Sequence, residues 1–189
     1  ATDNNNRTVA NIKSYFNNIN HDKLMQMFEM RICDRRVLKL IRKWLKAGVM
    51  IEGQFQQSEI GSPQGGVISP LLANIYLNYL DVCWEKYGQS LGRLIRYCDD
   101  FVILCRNDKS VNHAYKLVLK ILSKLELELN QEKTRIVNLW DGKEGFDFLG
   151  YHHRKVMTKW KDGSIYFKYE CWLTNKAQKK IRERIKNIL

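Results

Sequence analysis

The fold is decided by the segment LIRYCDDFVILC, which runs from Leu94 to Cys105. Two runs rich in β-branched and aromatic residues flank an acidic pair, so the segment predicts a β-hairpin with strands at Leu94–Tyr97 and Phe101–Cys105. Neighbouring residues of a strand point to opposite faces, whereas a tight turn lets Asp99 and Asp100 both project toward solvent. Asp is also a common turn residue, which gives the pair a purely structural alternative. The functional interpretation is a Mg²⁺ site, because Mg²⁺ takes one or two carboxylates together with phosphates and water.

Helical and strand periodicities surround this hairpin. Helices are predicted at His21–Ala47, Ser69–Tyr87, Ser110–Leu127 and Lys176–Leu189. Further strands are predicted at Val9–Phe16, Ile51–Phe55, Arg135–Leu139, Phe146–Tyr151 and Ile165–Tyr169. Asp34 is expected to break the first helical stretch and Gly48 to end it, while Ser69 is expected to cap the helix that follows. This order of elements predicts an α+β fold with one antiparallel sheet backed by helices.

The chain has 189 residues, which is enough for one domain with a hydrophobic core. Its net charge of +12 favours a polyanionic partner, because each Lys or Arg placed on a phosphate releases condensed counterions. A surface whose lysines only keep the protein soluble is an equally weighted alternative. Five cysteines without a C-x-x-C pair argue against a zinc site or a disulfide framework, so we expect a cytoplasmic setting. No apolar run is long enough to span a membrane, and no membrane partner is expected.

Four blocks of the sequence, at residues 97–100, 61–81, 127–134 and 148–151, occur together in one known family. They resemble blocks of the reverse transcriptases that group II introns encode. The residues Tyr97-Cys98-Asp99-Asp100 resemble the Y-x-D-D block of that family, in which the second position is usually Ala. The stretch GSPQGGVISPLLANIYLNYLD, from Gly61 to Asp81, resembles the block P-Q-G-G-x-x-S-P-L-L-A-N-I nearly residue for residue. The stretches LELNQEKT and FLGY, at 127–134 and 148–151, are similar to the two blocks that follow. The blocks occur in family order from about Val9 onward, which a chance match does not explain.

The resemblance implies a right-hand polymerase palm over residues 1–172, with the fingers missing, and the first helix of the thumb or maturase domain over 173–189. It implies an RNA-directed DNA polymerase that works by two-metal nucleotidyl transfer with Mg²⁺ as cofactor. Its partners would be an intron RNA template, a DNA primer and deoxynucleoside triphosphates. Asp99 and Asp100 would be the catalytic, metal-binding carboxylates. The oligomeric state stays open.

The resemblance also implies contacts to the incoming nucleotide. Gln64 and the backbone of Gly65 would border it, since glycine lets the backbone approach a ligand closely. A plain turn before a helix is the structural alternative for these two residues. Phe16 would lie under the sugar and exclude a 2′-hydroxyl group, although a core phenylalanine explains it nearly as well. Lys133 would approach the nucleotide phosphates, with an exposed surface lysine as an equal alternative.

One block departs from the family pattern. The stretch NIKSYFNNINH, from Asn11 to His21, resembles D-I-K-G-F-F-D-N-I-D-H, whose first Asp is the third metal-binding carboxylate. Asn11, Asn17 and Asn20 therefore stand where the family usually has Asp. Asn11 can offer a metal a neutral oxygen but brings no charge, and Mg²⁺ strongly prefers anionic oxygen. We therefore expect weak metal binding and slow or absent polymerisation. Three such differences favour natural divergence over an engineered change, and the sequence leaves both open.

A second function is compatible with the same sequence. A maturase would bind intron RNA and aid its splicing without polymerising, and the family performs both roles. The predicted C-terminal helix carries basic residues that would contact phosphates without reading sequence, namely Lys176, Lys179, Lys180, Arg182 and Arg184. A solvated surface helix is the structural alternative for this segment.

Overall fold

The computed structural model describes residues 6–12, 15–46, 49–51, 54–56, 68–139 and 142–188. The helices among these residues are α1 (His21–Glu29), α2 (Arg35–Lys46), α3 (Ser69–Tyr87), α4 (Asp108–Lys124) and α5 (Asn175–Lys186). The strands are β1 (Asn6–Asn11), β2 (Val49–Ile51), β3 (Gln54–Gln56), β4 (Gly92–Tyr97), β5 (Asp100–Cys105), β6 (Arg135–Asn138), β7 (Gly145–Phe148), β8 (Tyr151–Lys159) and β9 (Ile165–Leu173). A 3₁₀ turn covers Tyr15–Asn18. The chain therefore has the α+β architecture that the sequence predicts.

The hairpin predicted around the acidic pair forms half of a four-stranded antiparallel sheet. The strand order of this sheet is β4-β5-β1-β6, so β5 and β1 are its inner strands. The N-terminal strand begins earlier than predicted and ends at Asn11. After it, Ile12 makes an isolated antiparallel bridge to Leu129, and the 3₁₀ segment begins at Tyr15. The first strand is therefore held between two partners, and its C-terminal end lies beside the start of β5.

The two faces of β5 pack against different layers. Phe101, Ile103 and Cys105 are completely buried, and they belong to the core that the sheet forms with helices α1 to α4. Val102 belongs to a smaller apolar cluster on the other face, with Val137, Leu139 and Phe146. Alternate residues of a strand point to opposite faces, and here both faces are covered. The segment FVILC is continuously apolar for this reason, and its sheet lies between helices and further strands.

A second, three-stranded sheet of order β7-β8-β9 covers the face of Val102. The sequence predicts one strand over Phe146–Tyr151, but the chain reverses within it. Leu149 and Gly150 have φ values of +52° and +82°, and they form a two-residue turn between the paired residues Phe148 and Tyr151. Such turns need left-handed backbone conformations, which Gly adopts without steric cost. The predicted antiparallel sheet backed by helices is present as the four-stranded sheet, and the described residues form two more sheets, because β7 pairs with β8 and β2 pairs with β3.

The helix boundaries agree with the sequence signals in most places. The break at Asp34 is confirmed, since its carboxylate accepts a 2.7 Å hydrogen bond from the Arg36 backbone N–H at the start of α2. Ser69 is the first residue of α3 and not its cap, because Ile68 holds the capping position without a side-chain hydrogen bond. Gly48, the predicted end of the first helical stretch, lies outside the described residues. None of the described helices combines the length and apolar character needed to cross a bilayer.

Candidate active site

Two carboxylates lie at the turn of the β4–β5 hairpin. Tyr97 and Asp100 are the last paired residues of the two strands, so Cys98 and Asp99 form a two-residue turn. Cys98 has a φ of +52°, a left-handed conformation that lets a short turn match the twist of its strands. Asp99 and Asp100 are both half-buried. The hairpin therefore holds two adjacent carboxylates at one end of the central sheet.

Strand β1 brings residue 11 to the same end of the sheet. Asn11 is the register partner of Asp100 in the antiparallel β1–β5 pair. Directly opposed residues in such a pair have Cα atoms about 4.5–5.5 Å apart. The Asn11 backbone therefore lies beside the aspartate turn, as the predicted metal site requires. The direction of the Asn11 side chain lies outside the described structure. The assignment of Asp99, Asp100 and Asn11 as metal ligands stays a prediction.

The donor set at this turn suits a weakly held Mg²⁺ ion. Asp99 and Asp100 supply anionic oxygens, and Mg²⁺ normally completes its shell with water and substrate phosphates. Within the described ranges, no group of three or more His, Cys, Asp or Glu side chains is arranged to hold a metal. Two carboxylates therefore fit the cofactor that the family resemblance implies, and by the same resemblance residue 11, which is Asn here, would be the third ligand.

Arg96 fixes the aspartate turn to helix α3. Its guanidinium donates two hydrogen bonds to the Asp81 carboxylate, from Nε to Oδ1 at 2.9 Å and from Nη2 to Oδ2 at 2.5 Å. Its Nη1 donates to the Asn74 side-chain oxygen at 3.0 Å and to the Cys98 carbonyl at 2.8 Å. The hydrogen bonds to Asp81 raise the pKa of Arg96 against the opposing effect of burial. A permanently charged side chain thus joins the turn carrying Asp99 to two positions of α3.

Tyr15 lies beneath the same turn. It is buried, and its hydroxyl donates a hydrogen bond to the Ala73 carbonyl of α3. The charges of Asp99 and Arg96 are close enough to affect the pKa of this hydroxyl. Burial raises the pKa of Tyr15 well above the ordinary value, and the positive charge of Arg96 opposes this effect only in part. The next residue, Phe16, lies within the 3₁₀ turn, but its side chain is outside the described structure. Its proposed contact with the nucleotide sugar stays a prediction.

A cavity of about 430 Å³ opens beside Asp100. Lys133 lines it, so the structure brings together two residues that the sequence predicts for the site. The other lining residues come from the loop before β6, from the first residue of β6 and from the β7–β8 hairpin, namely Glu132, Arg135, Gly145, Phe146, Asp147, Phe148, Leu149 and His152. The cavity walls carry both positive and negative side chains, namely Lys133 and Arg135 on one hand and Asp100, Glu132 and Asp147 on the other. An anionic ligand that reaches Asp100 would therefore also be within the field of Lys133.

His152 and Asp147 form a pair on the wall of this cavity. The His152 Nδ1 atom lies 2.6 Å from the Asp147 Oδ1 atom. Gly145 makes room for the imidazole, because a Cβ atom there would lie 2.4 Å from the His152 Nε2 atom. On its other side the ring contacts Trp172, with centroids 5.0 Å apart. These contacts hold the imidazole ring, and the sequence predicts neither the pair nor its place next to Asp100.

The remaining predicted residues fall into two groups. Gln64 and Gly65 lie outside the described residues, so their contact with a nucleotide stays a prediction. The five basic residues predicted to bind RNA lie on α5 and are all exposed; they are Lys176, Lys179, Lys180, Arg182 and Arg184. Lys179 also lies 3.9 Å from Glu183, one turn further along the helix. None of the five lines the cavity beside Asp100.

Arg96 is a further residue that the sequence interpretation missed. The signal was present, because strand periodicity puts Arg96 on the same face as Leu94, which packs against the helical core. A charged side chain on a core-facing position requires a partner. Helix α3, which precedes the hairpin, offers two acidic residues, Asp81 and Glu85, and Asp81 is the partner in the structure. The spacing alone could not identify the pair, since it forms only when α3 packs on the sheet.

The chain was compared with known proteins. A family model described as reverse transcriptase (RNA-dependent DNA polymerase) matches residues 3–153. Protein YkfC of Escherichia coli K12 is 32% identical over 188 residues, which cover 82% of this chain and 48% of that protein. The group II intron-encoded protein LtrA of Lactococcus lactis subsp. cremoris is 29% identical over 207 residues, which cover 77% of this chain and 34% of that protein. The chain thus spans about half or less of the length of these relatives.

Solved structures show the same fold. The telomerase of Candida albicans, in complex with a TWJ fragment of telomeric RNA, superposes with a TM-score of 0.63 at 17% identity. The superposition covers 86% of this chain and 30% of that one, and at this identity it shows the fold alone. The family match extends over both the aspartate turn and the strand that carries Asn11. The chain therefore belongs to the reverse transcriptase (RNA-dependent DNA polymerase) family, and its similarity is to the reverse transcriptases and maturases that group II introns encode.

Proposed function

We propose that this chain is the palm of an RNA-directed DNA polymerase whose activity is impaired by Asn11. The observation that carries the proposal is the strand register, which places residue 11 opposite Asp100 and next to the turn that holds Asp99. Two-metal nucleotidyl transfer needs carboxylates that lie close enough together to hold two metal ions about 4 Å apart. The substrates in this proposal are an intron RNA template, a DNA primer and deoxynucleoside triphosphates, and the setting is cytoplasmic.

Each residue of the site has a stated role in the proposal. Asp99 and Asp100 hold Mg²⁺, which when bound supplies the positive charge that neutralises the nucleotide phosphates. Lys133, on the wall of the cavity beside Asp100, adds a further positive charge for those phosphates. Gln64 and Gly65 border the nucleotide, and Phe16 selects against a 2′-hydroxyl. These groups orient the nucleotide so that the primer 3′-hydroxyl forms a bond to its α-phosphorus while pyrophosphate leaves.

Asn11 weakens this arrangement for an electrostatic reason. A two-metal site gathers four positive charges in a small volume, and two carboxylates offset only half of them. The neutral amide oxygen of Asn cannot supply the missing charge. By analogy with the removal of other central catalytic groups, we expect a rate lower by orders of magnitude than that of the Asp form.

The proposal is tested by substituting Asn11→Asp and measuring Mn²⁺ affinity by electron paramagnetic resonance. We expect at least a tenfold gain in affinity, because the number of charged ligands sets the strength of such sites. The matched control is Asn112→Asp, which makes the same charge change at an exposed position on α4, and it should leave the affinity unchanged. Adding Asp99→Asn to the Asn11→Asp variant should abolish the gain. Equal Mn²⁺ affinity in the Asn11→Asp and Asn112→Asp variants would contradict the proposal.

A non-polymerising maturase is the second candidate, and the character of α5 favours it. No residue of this helix is buried, and its exposed residues include the five basic side chains named above. An RNA-clamping helix does not need a metal site, so RNA binding should survive when divalent ions are removed by EDTA. It should weaken steeply as salt rises, since phosphate contacts release counterions. Binding that requires Mg²⁺ would instead favour the polymerase site as the main RNA contact.

A further inference from the structure

Helix α2 carries an unusual separation of charge and apolar character. Its sequence, RRVLKLIRKWLK, contains six basic residues and no acidic one. At 100° per residue the basic side chains fall on one continuous arc of the helix. All six are exposed; they are Arg35, Arg36, Lys39, Arg42, Lys43 and Lys46. The helix therefore presents an uninterrupted positive surface about three turns long.

The rest of the helix is divided into a buried strip and an exposed apolar strip. Ile41 and Leu45 are buried in the main core and attach the helix to the domain. Between them and the basic arc lie Val37, Leu40 and Trp44, which are 40%, 45% and 44% exposed. Burial of the first strip explains why the helix folds onto the domain. It does not explain why an indole and two aliphatic side chains are left partly exposed next to the basic arc.

The charge arrangement opposes helix stability. Arg35 and Arg36 occupy the first turn, where positive charge is unfavourable because the helix N-terminus is itself partly positive. Lys39 and Lys43 are one turn apart, and like charges at this spacing destabilise a helix by about 0.2–0.5 kcal/mol per pair. Nearby acidic groups compensate only in part: Asp34 accepts a hydrogen bond from the Arg36 backbone, and Glu29 lies 3.7 Å from Arg42. A bound polyanion would relieve this repulsion.

We infer that this face of α2 binds RNA, with phosphates on the basic arc and an unpaired base stacked on Trp44. Aromatic rings next to basic side chains are the usual means of holding single-stranded nucleic acid, since any base can stack on them. An anionic membrane is a poorer fit, because the exposed apolar strip consists of three side chains and the protein covers more than half of each. The inference rests on the proposed function only in taking RNA as the partner.

The α2 surface is separate from the basic surface of α5. Helix α2 packs on the helical side of the domain, where its buried residues join the core formed with α1 and α3. Helix α5 follows β9, and the sheet formed by β7, β8 and β9 packs on the face of β5 opposite the helical core. An RNA bound at α2 is therefore not explained by the α5 contacts. The two surfaces can be tested independently by substitution.

The test compares two double substitutions of equal charge in a metal-free RNA-binding assay. Lys39→Gln/Lys43→Gln neutralises two exposed lysines one turn apart on α2, and Lys116→Gln/Lys120→Gln does the same on α4. Fluorescence anisotropy with a labelled single-stranded RNA, in EDTA and over a salt series, gives the affinity and its salt dependence. We expect the α2 pair to lose about tenfold in affinity and to reduce the slope of log K against log salt by about 1.4, or 0.7 for each lost phosphate contact. The α4 pair should change neither value appreciably.

A second comparison tests the stacking contact. Trp44→Ala should weaken binding to single-stranded RNA about tenfold, whereas Trp44→Phe keeps a ring and should retain most of the affinity. Binding to a fully paired RNA duplex should be unaffected by either change. Thermal unfolding of the α2 lysine variant should show an unchanged or raised Tm, because like-charge repulsion is removed. A loss of affinity with a retained Tm cannot then be attributed to misfolding.

Three outcomes would overturn the inference. The first is an equal loss of RNA affinity in the α2 and α4 lysine variants, which would indicate net charge alone. The second is an unmodified chain that binds no RNA under these conditions. The third is binding to phosphatidylserine vesicles that the α2 substitutions abolish while RNA binding is unchanged. Each leaves the Mn²⁺ result at Asn11 unaffected, so failure of this inference and failure of the polymerase proposal are distinguishable.

Discussion

The connection between Arg96 and helix α3 predicts a large loss of stability when the guanidinium is removed. Arg96→Met keeps much of the side-chain volume but removes four hydrogen bonds, to Asp81, Asn74 and the Cys98 carbonyl. Hydrogen bonds to charged groups contribute about 1.5–3 kcal/mol each before the cost of desolvating the charge is subtracted. The Arg96 side chain is 12% exposed and that of Asp81 is 34% exposed, so solvent screens the pair in part. We expect a net loss of about 2–3 kcal/mol, below the 3–5 kcal/mol of a fully buried pair.

For a domain of this size, about 2–3 kcal/mol corresponds to a fall in Tm of roughly 4–12 °C. Circular dichroism during thermal unfolding measures it directly. Arg96→Lys should lie between wild type and Arg96→Met, because a lysine keeps the charge without the two-pronged geometry. In the Asn11→Asp background, Arg96→Met should also weaken Mn²⁺ binding, since the turn that holds Asp99 loses its attachment to α3.

The control for this prediction is Arg93→Met. Arg93 lies on the same strand but is exposed, and its replacement should cost less than about 0.5 kcal/mol. If Arg96→Met and Arg93→Met unfold within a degree of each other, the hydrogen bonds of Arg96 do not stabilise the fold. An unchanged Mn²⁺ affinity in the double variant would show that the turn keeps its position without Arg96.

Three further predictions concern individual side chains. Asn20 donates a 2.8 Å hydrogen bond to the Glu126 carboxylate, so Asn20→Asp should lower the Tm in thermal unfolding by a few degrees. Adding Glu126→Gln to this variant should restore the Tm. Effects of the two substitutions that are independent of each other would contradict this prediction. Burial raises the pKa of Tyr76 to about 12, above its unfolded value near 10. The neutral hydroxyl therefore contributes fully to the stability of the fold below pH 10, and this contribution is lost as the pH rises toward 12. Urea unfolding at pH 9 to 12 should show that loss, and Tyr76→Phe should show a shallower one. Burial also raises the pKa of the Cys105 thiol to about 11, so at pH 8 about one molecule in a thousand carries the thiolate. Cys105 should react with a thiol reagent only on unfolding, while the exposed Cys171 reacts in the native protein.

The parts of the fold that local patterns control could be predicted from the sequence. The β4–β5 hairpin follows from two apolar runs around a turn, and the break at Asp34 follows from a side chain that caps the next helix. The reversal at Leu149 and Gly150 could not be predicted in the same way. Leucine has no preference for a left-handed conformation, and only the neighbouring glycine indicates a turn. The packing of Phe146 in β7 against Val102 is a tertiary contact, and the local sequence around the turn does not indicate it.

The candidate site shows the same division between local and tertiary information. The adjacency of Asp99 and Asp100 is local, and their place at a turn follows from the hairpin. The approach of residue 11 depends on β1 pairing with β5 across about 90 residues of intervening chain, and the family resemblance, rather than periodicity, predicted it. The contacts of Arg96 with α3 and of His152 with Asp147 were not predicted, because each depends on how two elements pack. Residue types indicate the chemistry of the site, and strand order decides which of those residues meet.

The replacements of Asp by Asn at positions 11 and 20 have different physical meanings. At Asn20 the amide has its own structural use: its oxygen caps α1 by accepting a hydrogen bond from the Lys23 backbone, and its nitrogen donates to Glu126. An Asp could cap the helix equally well, but it would meet the Glu126 carboxylate with a second negative charge. Position 11 is the register partner of Asp100, and the contacts of its side chain lie outside the described structure. In the proposed polymerase site, Asp→Asn at position 11 would remove a charged metal ligand, whereas Asn at position 20 donates a hydrogen bond that an ionised Asp could not donate.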